Sequence, residues 1–130
     1  MKLIQIPASH VEWAWGEGAH LLSEACKRSD EVTPDQLKKL LLDGKRTLLA
    51  AVDETRALGW AVVGAEDLPN YRALAIYAAY CPGAVVLDQL KEYARHNGCT
   101  AIRICCDDAG ARLWARRGAR KKHQVMEWAV

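Results

Sequence analysis

The chain has 130 residues, 18 of them basic and 16 acidic, and is 51% apolar. That suffices for one domain, residues 1–130, burying about two-thirds of its unfolded surface. No apolar run approaches the roughly 20 residues that a membrane-spanning helix needs, and the near-balanced charge argues against a dedicated nucleic-acid binder.

The five cysteines include no Cys-x-x-Cys pair, and Cys105 and Cys106 are adjacent, a spacing that suits neither a metal site nor a disulfide framework. Met1 to Pro7 is too short for a signal peptide, so a cytoplasmic location with reduced thiols in apolar surroundings is expected.

Lys2 to Ile6 reads as a strand ended by Pro7. Ser9 and Glu12 have the spacing of a capping box, predicting a helix from there to about Lys27 that Gly16 and Gly18 weaken or bend. Trp13 and Trp15 lie about 200° apart on such a helix. Either one is buried with the other at a rim, or they offer a stacking surface.

Thr33-Pro34-Asp35-Gln36 repeats the start signal with Pro in the first turn, and Leu37, Leu40 and Leu41 form the apolar stripe of a helix ended by Gly44. The period then changes. Residues 46–52 and 57–63 read as strands joined by a polar turn at 53–56. A second turn at 66–70 leads into a strand from Tyr71 to Ala78.

Leu74 to Ile104 is the organising stretch. A buried strand ends at Pro82-Gly83, and Val86, Leu87, Leu90, Tyr93 and Ala94 then fall on one helical face. Asn97-Gly98 stops that helix, and Thr100 to Cys105 resumes as a strand. Strand, helix and strand joined this tightly predict a parallel crossover. Its helix N-terminus would aim free N–H groups at the carboxyl end of the first strand. Asp107 or Asp108 then caps a short helix carrying Leu113 and Trp114 and stopped by Gly118, and residues 119–130 are predicted to close as a strand.

The order β-α-α-β-β-β-α-β-α-β predicts a mixed α/β fold of about six strands with helices on both faces. It resembles the GCN5-related N-acetyltransferase superfamily along nearly the whole chain. The most specific part is Asp107-Asp108-Ala109-Gly110-Ala111-Arg112-Leu113-Trp114-Ala115-Arg116-Arg117-Gly118-Ala119, which follows the rhythm of the family's Asn-x-x-Ala-x-x-Leu-Tyr-x-Lys-x-Gly-Phe pattern.

The resemblance implies an acyl-CoA site where the fourth and fifth strands splay apart, with no metal. The pantetheine arm would pair with the fourth strand, at Ile76 and Tyr77. A loop of the form Gln/Arg-x-x-Gly-x-Gly/Ala would hold the pyrophosphate, and it falls on residues 78–83. There Gly83 matches, while Ala78, Cys81 and Pro82 depart from the pattern, leaving the N–H groups of Gly83, Ala84 and Val85 as candidate donors. The family's acidic tyrosine falls at Trp114, counted with the cofactor-binding positions; its indole N–H is a donor but not a practical proton source.

Tyr77 and Tyr80 are the substitute acids. Glu66, Asp67 and His10 are the candidate bases. Cys105 and Cys106 would lie near an acyl thioester, either as a nucleophile or, more simply, as buried structural thiols. Arg112, Arg116, Arg117, Arg120, Lys121 and Lys122 form either a solvated patch or a contact to a CoA 3′-phosphate or an acidic partner.

Two functions stay open. One is acetyl transfer from acetyl-CoA to a small-molecule or protein amine. The other is a non-catalytic binding module similar to short versions of the fold in phages and prophages. Exposed tryptophans are compatible with a homodimer.

Overall fold

The computed structural model describes residues 1–81 and 86–130. Among them five strands form one sheet in the order β1-β2-β3-β4-β5, with β1 at Lys2–Ile6, β2 at Thr47–Asp53, β3 at Arg56–Asp67, β4 at Arg72–Tyr80 and β5 at Ala101–Ile104. Neighbours are antiparallel except β4 and β5, which are parallel and joined through helix α4, Leu87–His96. The crossover expected from the sequence is thus formed.

Alternating strand residues separate two cores, as a sheet buried on both faces requires. On one face Leu48, Ala50, Trp60, Val62 and Ala78 pack with residues of the first helical layer, such as Leu22, Leu37 and Leu41. On the other, Leu49, Val63, Leu74 and Ile76 pack against Leu90 and Ala94 of α4. Trp15 packs against the first core and Trp13 is 61% exposed, one inside and one outside.

The first helical layer departs from the prediction of one helix from Ser9 to about Lys27. The Ser9 capping box does not form. A 3₁₀ turn at Ala8–His10 follows Pro7, with the His10 N–H donating to the Pro7 carbonyl at 2.9 Å. Helix α1 spans Val11–Glu17 and ends at Gly18, whose φ of +142° no ordinary L-residue adopts readily. A second 3₁₀ turn leads to the short α2, Ser23–Cys26.

The second start signal holds. Helix α3, Pro34–Leu42, opens with Thr33 Oγ1 accepting from the Gln36 N–H at 3.2 Å while the Gln36 side chain accepts from the Thr33 N–H at 2.9 Å. Leu37 and Leu41 are buried and Leu40 is half-buried.

Two further boundaries move. β3 continues through Glu66 and Asp67, expected to be a turn, because Asp67 lies opposite Arg72 and binds its guanidinium with both oxygens, at 2.9 and 3.0 Å. The closing strand expected at residues 119–130 is absent, so the sheet has five strands among the described residues rather than about six. That segment opens on the like-charged run Arg120-Lys121-Lys122, and the Lys122 ammonium is drawn aside to the Tyr71 hydroxyl at 2.6 Å.

Candidate functional site

The parallel ladder between β4 and β5 has four pairs, Ala73–Ala101 to Ile76–Ile104, and stops there. β4 runs on through Tyr77, Ala78, Ala79 and Tyr80 beside β3, with no strand on its other side among the described residues. β5 ends because the chain leaves the sheet at Cys105–Asp107. The Asp107 carboxylate caps helix α5, Asp108–Ala115, by accepting from the Gly110 N–H at 2.8 Å. β4 thus runs on past the point where β5 turns away, leaving a notch, the wedge, along which the main-chain polar groups of β4 have no strand partner among the described residues.

At the wedge vertex β4 carries one extra residue. The register steps from Val62–Ala78 to Val63–Ile76, so Tyr77 is bulged out of the ladder. Its ring lies on Gly64, where an added Cβ would come within 2.9 Å of the ring. The hydroxyl donates to Glu66 Oε1 at 2.8 Å, and the Arg46 guanidinium stacks 3.7 Å from the ring centroid. Arg103 of β5 approaches Glu66 Oε2 at 3.9 Å and His123 Nε2 at 3.5 Å. Burial raises the Tyr77 pKa, and the hydrogen bond to Glu66 adds to the rise, so the phenol keeps its proton at neutral pH.

The strand alternation explains why these groups meet. Arg46 is two residues before Leu48, Glu66 is four after Val62, and Arg103 lies between Ile102 and Ile104, which pack on the α4 face. All three therefore face the first helical layer, and the bulge turns Tyr77 to the same side.

The candidate residues divide accordingly. Tyr77 and Glu66 meet at the vertex. Tyr80, at the end of β4, packs against the first core and has no hydroxyl partner among the described residues. Asp67 is committed to Arg72. His10 lines a shallow groove with Ile4 and Trp13 beside β1, three strand spacings from β4, or about 14 Å across the sheet. The side chain of Ile76 is buried in the second core, so its main chain alone reaches the vertex. Trp114 is half-buried on α5. Gly83, Ala84 and Val85 lie outside the described residues.

The expectation of buried thiols at Cys105 and Cys106 is corrected, since both are exposed where the chain turns away from the sheet. Desolvation, followed by the charge of Asp107, raises the Cys106 pKa, which disfavours the thiolate a nucleophile needs. Of the basic patch, Lys122 is held at Tyr71, whose pKa it lowers. Arg112, Arg116, Arg117, Arg120 and Lys121 have no carboxylate partner among the described residues.

Sequence reading missed Arg46, Arg103 and His123. Arg103 was findable, because a charged residue between two isoleucines in a buried strand must point to the opposite face. Arg46 and His123 join the site through register and tail placement, which carry no local signal.

This fold, a mixed sheet whose bulged fourth strand runs on past the end of a parallel fifth, is that of the GCN5-related N-acetyltransferases. A ribosomal-protein-alanine N-acetyltransferase from Brucella melitensis biovar Abortus 2308 superposes with a TM-score of 0.73 at 15% identity, over 100% of both chains. An aminoglycoside acetyltransferase from an uncultured soil metagenomic sample gives 0.66 at 16% identity, over 99% of this chain and 97% of that one. A predicted acetyltransferase from Clostridium acetobutylicum, solved with acetyl-CoA, gives 0.67 at 12% identity, over 98% and 95%. No protein-family model and no curated protein matches the sequence. At these identities the likeness establishes the fold. Among the described residues no helix is long and apolar enough to cross a membrane.

Proposed function

We propose that the protein is an N-acyltransferase that takes acetyl-CoA in the β4–β5 wedge and delivers the acyl group to an amine approaching from the first helical layer. The observation that carries this reading is the wedge itself: four β4 residues, Tyr77 to Tyr80, without a strand on the β5 side among the described residues. The amides of a pantetheine arm suit such an edge, because they can complete a ladder as an added strand does. Bound there, the thioester supplies the activated acyl carbon.

The chain's own groups then act at the vertex. Glu66 accepts the proton of the attacking amine through an oxygen already placed by Tyr77. Tyr77, protonated at neutral pH, fixes that carboxylate. Tyr80, whose hydroxyl has no partner among the described residues, is the proton donor for the departing thiolate. Holding amine and thioester together at one vertex supplies most of the acceleration.

Calorimetry with acetyl-CoA should show binding, and amide resonances of Tyr77 to Tyr80 should shift. Absence of both heat and shifts at millimolar ligand would end this proposal. Glu66→Gln should then lower transfer by about 10²-fold or more at saturating acetyl-CoA.

A second reading is a non-catalytic module that keeps the fold. It is favoured by Trp114 at the position the resemblance gives to an acidic tyrosine, and by Ala78 and Cys81 in place of the loop's polar and glycine residues. The two separate on thiol release with a panel of amines, where turnover abolished by Glu66→Gln favours the enzyme.

A further inference from the structure

The vertex carries more positive charge than it neutralises. Arg46 is half-buried and stacked on Tyr77, with no carboxylate in ion-pair reach among the described residues. Arg103 has one long contact to Glu66, at 3.9 Å, and one to His123 Nε2, at 3.5 Å, which is not a carboxylate. Glu66 meanwhile spends its near oxygen on a neutral phenol. Two guanidiniums thus adjoin the Tyr77–Glu66 pair, Arg46 from just before β2 by its stack on the ring and Arg103 from β5 by its approach to the carboxylate.

A half-buried guanidinium resting on an aromatic face has planar N–H donors free at its rim, and a second anion satisfies them. Water or a phosphate of the cofactor could do so; a carboxylate on the amine would do so while setting the nitrogen beside Glu66.

We infer that Arg46 and Arg103 form an anion subsite for the acceptor, and that the acceptor is a small amine carrying a carboxylate a few bonds from its nitrogen. This rests on the acyl-transfer reading for the identity of the bound molecule, although anion recognition can be measured without turnover. In this arrangement the carboxylate lies between the arginines and the amine is directed at Glu66. One side-chain set therefore both selects the acceptor and aims it.

The test uses the full chain with two pairs of probes, glycine against glycinamide and β-alanine against β-alaninamide. The arginine Nε–Hε resonances are followed by NMR and acetyl transfer by thiol release. The carboxylated amines should shift the Arg46 and Arg103 signals and the amides should not. Where transfer occurs, kcat/KM should favour the carboxylated member at least tenfold, the usual worth of one charged hydrogen-bonded contact.

Arg46→Gln or Arg103→Gln should cut that preference about tenfold, and Arg46→Lys should restore part of it. Preference is a ratio within one variant, so partial loss of folded protein does not mimic the effect. Transfer to amides as efficient as to carboxylates, or a preference unmoved in both glutamine variants, overturns the subsite while leaving the enzyme. Carboxylate-induced shifts without any transfer uphold the subsite and overturn the enzyme. Neither shifts nor transfer overturns both.

Discussion

Tyr77 concentrates the chemistry of this molecule because three neighbours fix it independently. Gly64 leaves room under its ring, Arg46 covers it, and Glu66 takes its proton-bearing oxygen. Tyr77→Phe keeps the stack and removes one partly exposed hydrogen bond, so it should cost about 0.5–1 kcal/mol in denaturant unfolding.

The raised pKa sets a pH signature with a definite sign. The unfolded tyrosine loses its proton near pH 10 while the folded one still holds it. The stability it contributes is complete below that pH and is lost as pH climbs through the folded value. Thermal midpoints of wild type should therefore fall more steeply above about pH 10 than those of Tyr77→Phe; parallel curves would count against the raised value. Gly64→Val puts atoms where the ring now lies, which should cost about 1–3 kcal/mol and uncouple Tyr77 from Glu66. At this scale the sequence was partly informative: Tyr77 was a candidate acid near the end of the fourth strand and Glu66 one of three candidate bases, placed in the turn before it, but nothing local announced the bulge that joins them.

At the scale of elements, legibility followed the strength of local chemistry. Thr33, Pro34 and Gln36 combine a hydroxyl acceptor, a fixed φ and a returning amide, and all three act as their spacing implies. Ser9 and Glu12 have equal spacing, yet Pro7 and the 3₁₀ turn after it hand the first free N–H to a carbonyl before Ser9 can serve. Thr33→Ala should therefore lower unfolding free energy by about 1 kcal/mol, whereas Ser9→Ala should change it by under about 0.5 kcal/mol. Equal losses in the two variants would contradict the assignment of caps.

The end of β5 was less legible. Cys105 has strand propensity, and the departure of the chain there depends on Asp107 capping α5. A cap that starts a helix also sets where the ladder stops, and hence where along β4 the wedge begins.

For the whole molecule, the tail is where local pattern and tertiary structure disagree. Met126, Trp128 and Val130 recur every second residue, as a strand with one apolar face would have them, and the outer edge of β5 lacks a neighbouring strand among the described residues. Yet Val125 and Met126 are each 73% exposed and Trp128 is 83% exposed. An uncovered apolar stripe and an open strand edge in one chain favour association, because each supplies what the other lacks. Full burial of such side chains is worth about 1.5–3 kcal/mol apiece, before the entropy of bringing two chains together is charged against it. The expected result is concentration-dependent dimerisation in sedimentation velocity, with the tail of one copy laid along β5 of another. Deleting residues 124–130 should abolish it and leave the anion subsite, whose His123 is retained. Trp128→Ser should weaken it about tenfold or more. A full-length chain that stays monomeric at high concentration, with tail amides exchanging as fast as those of a free peptide, would show that the stripe remains in water and that β5 is the true edge of the sheet.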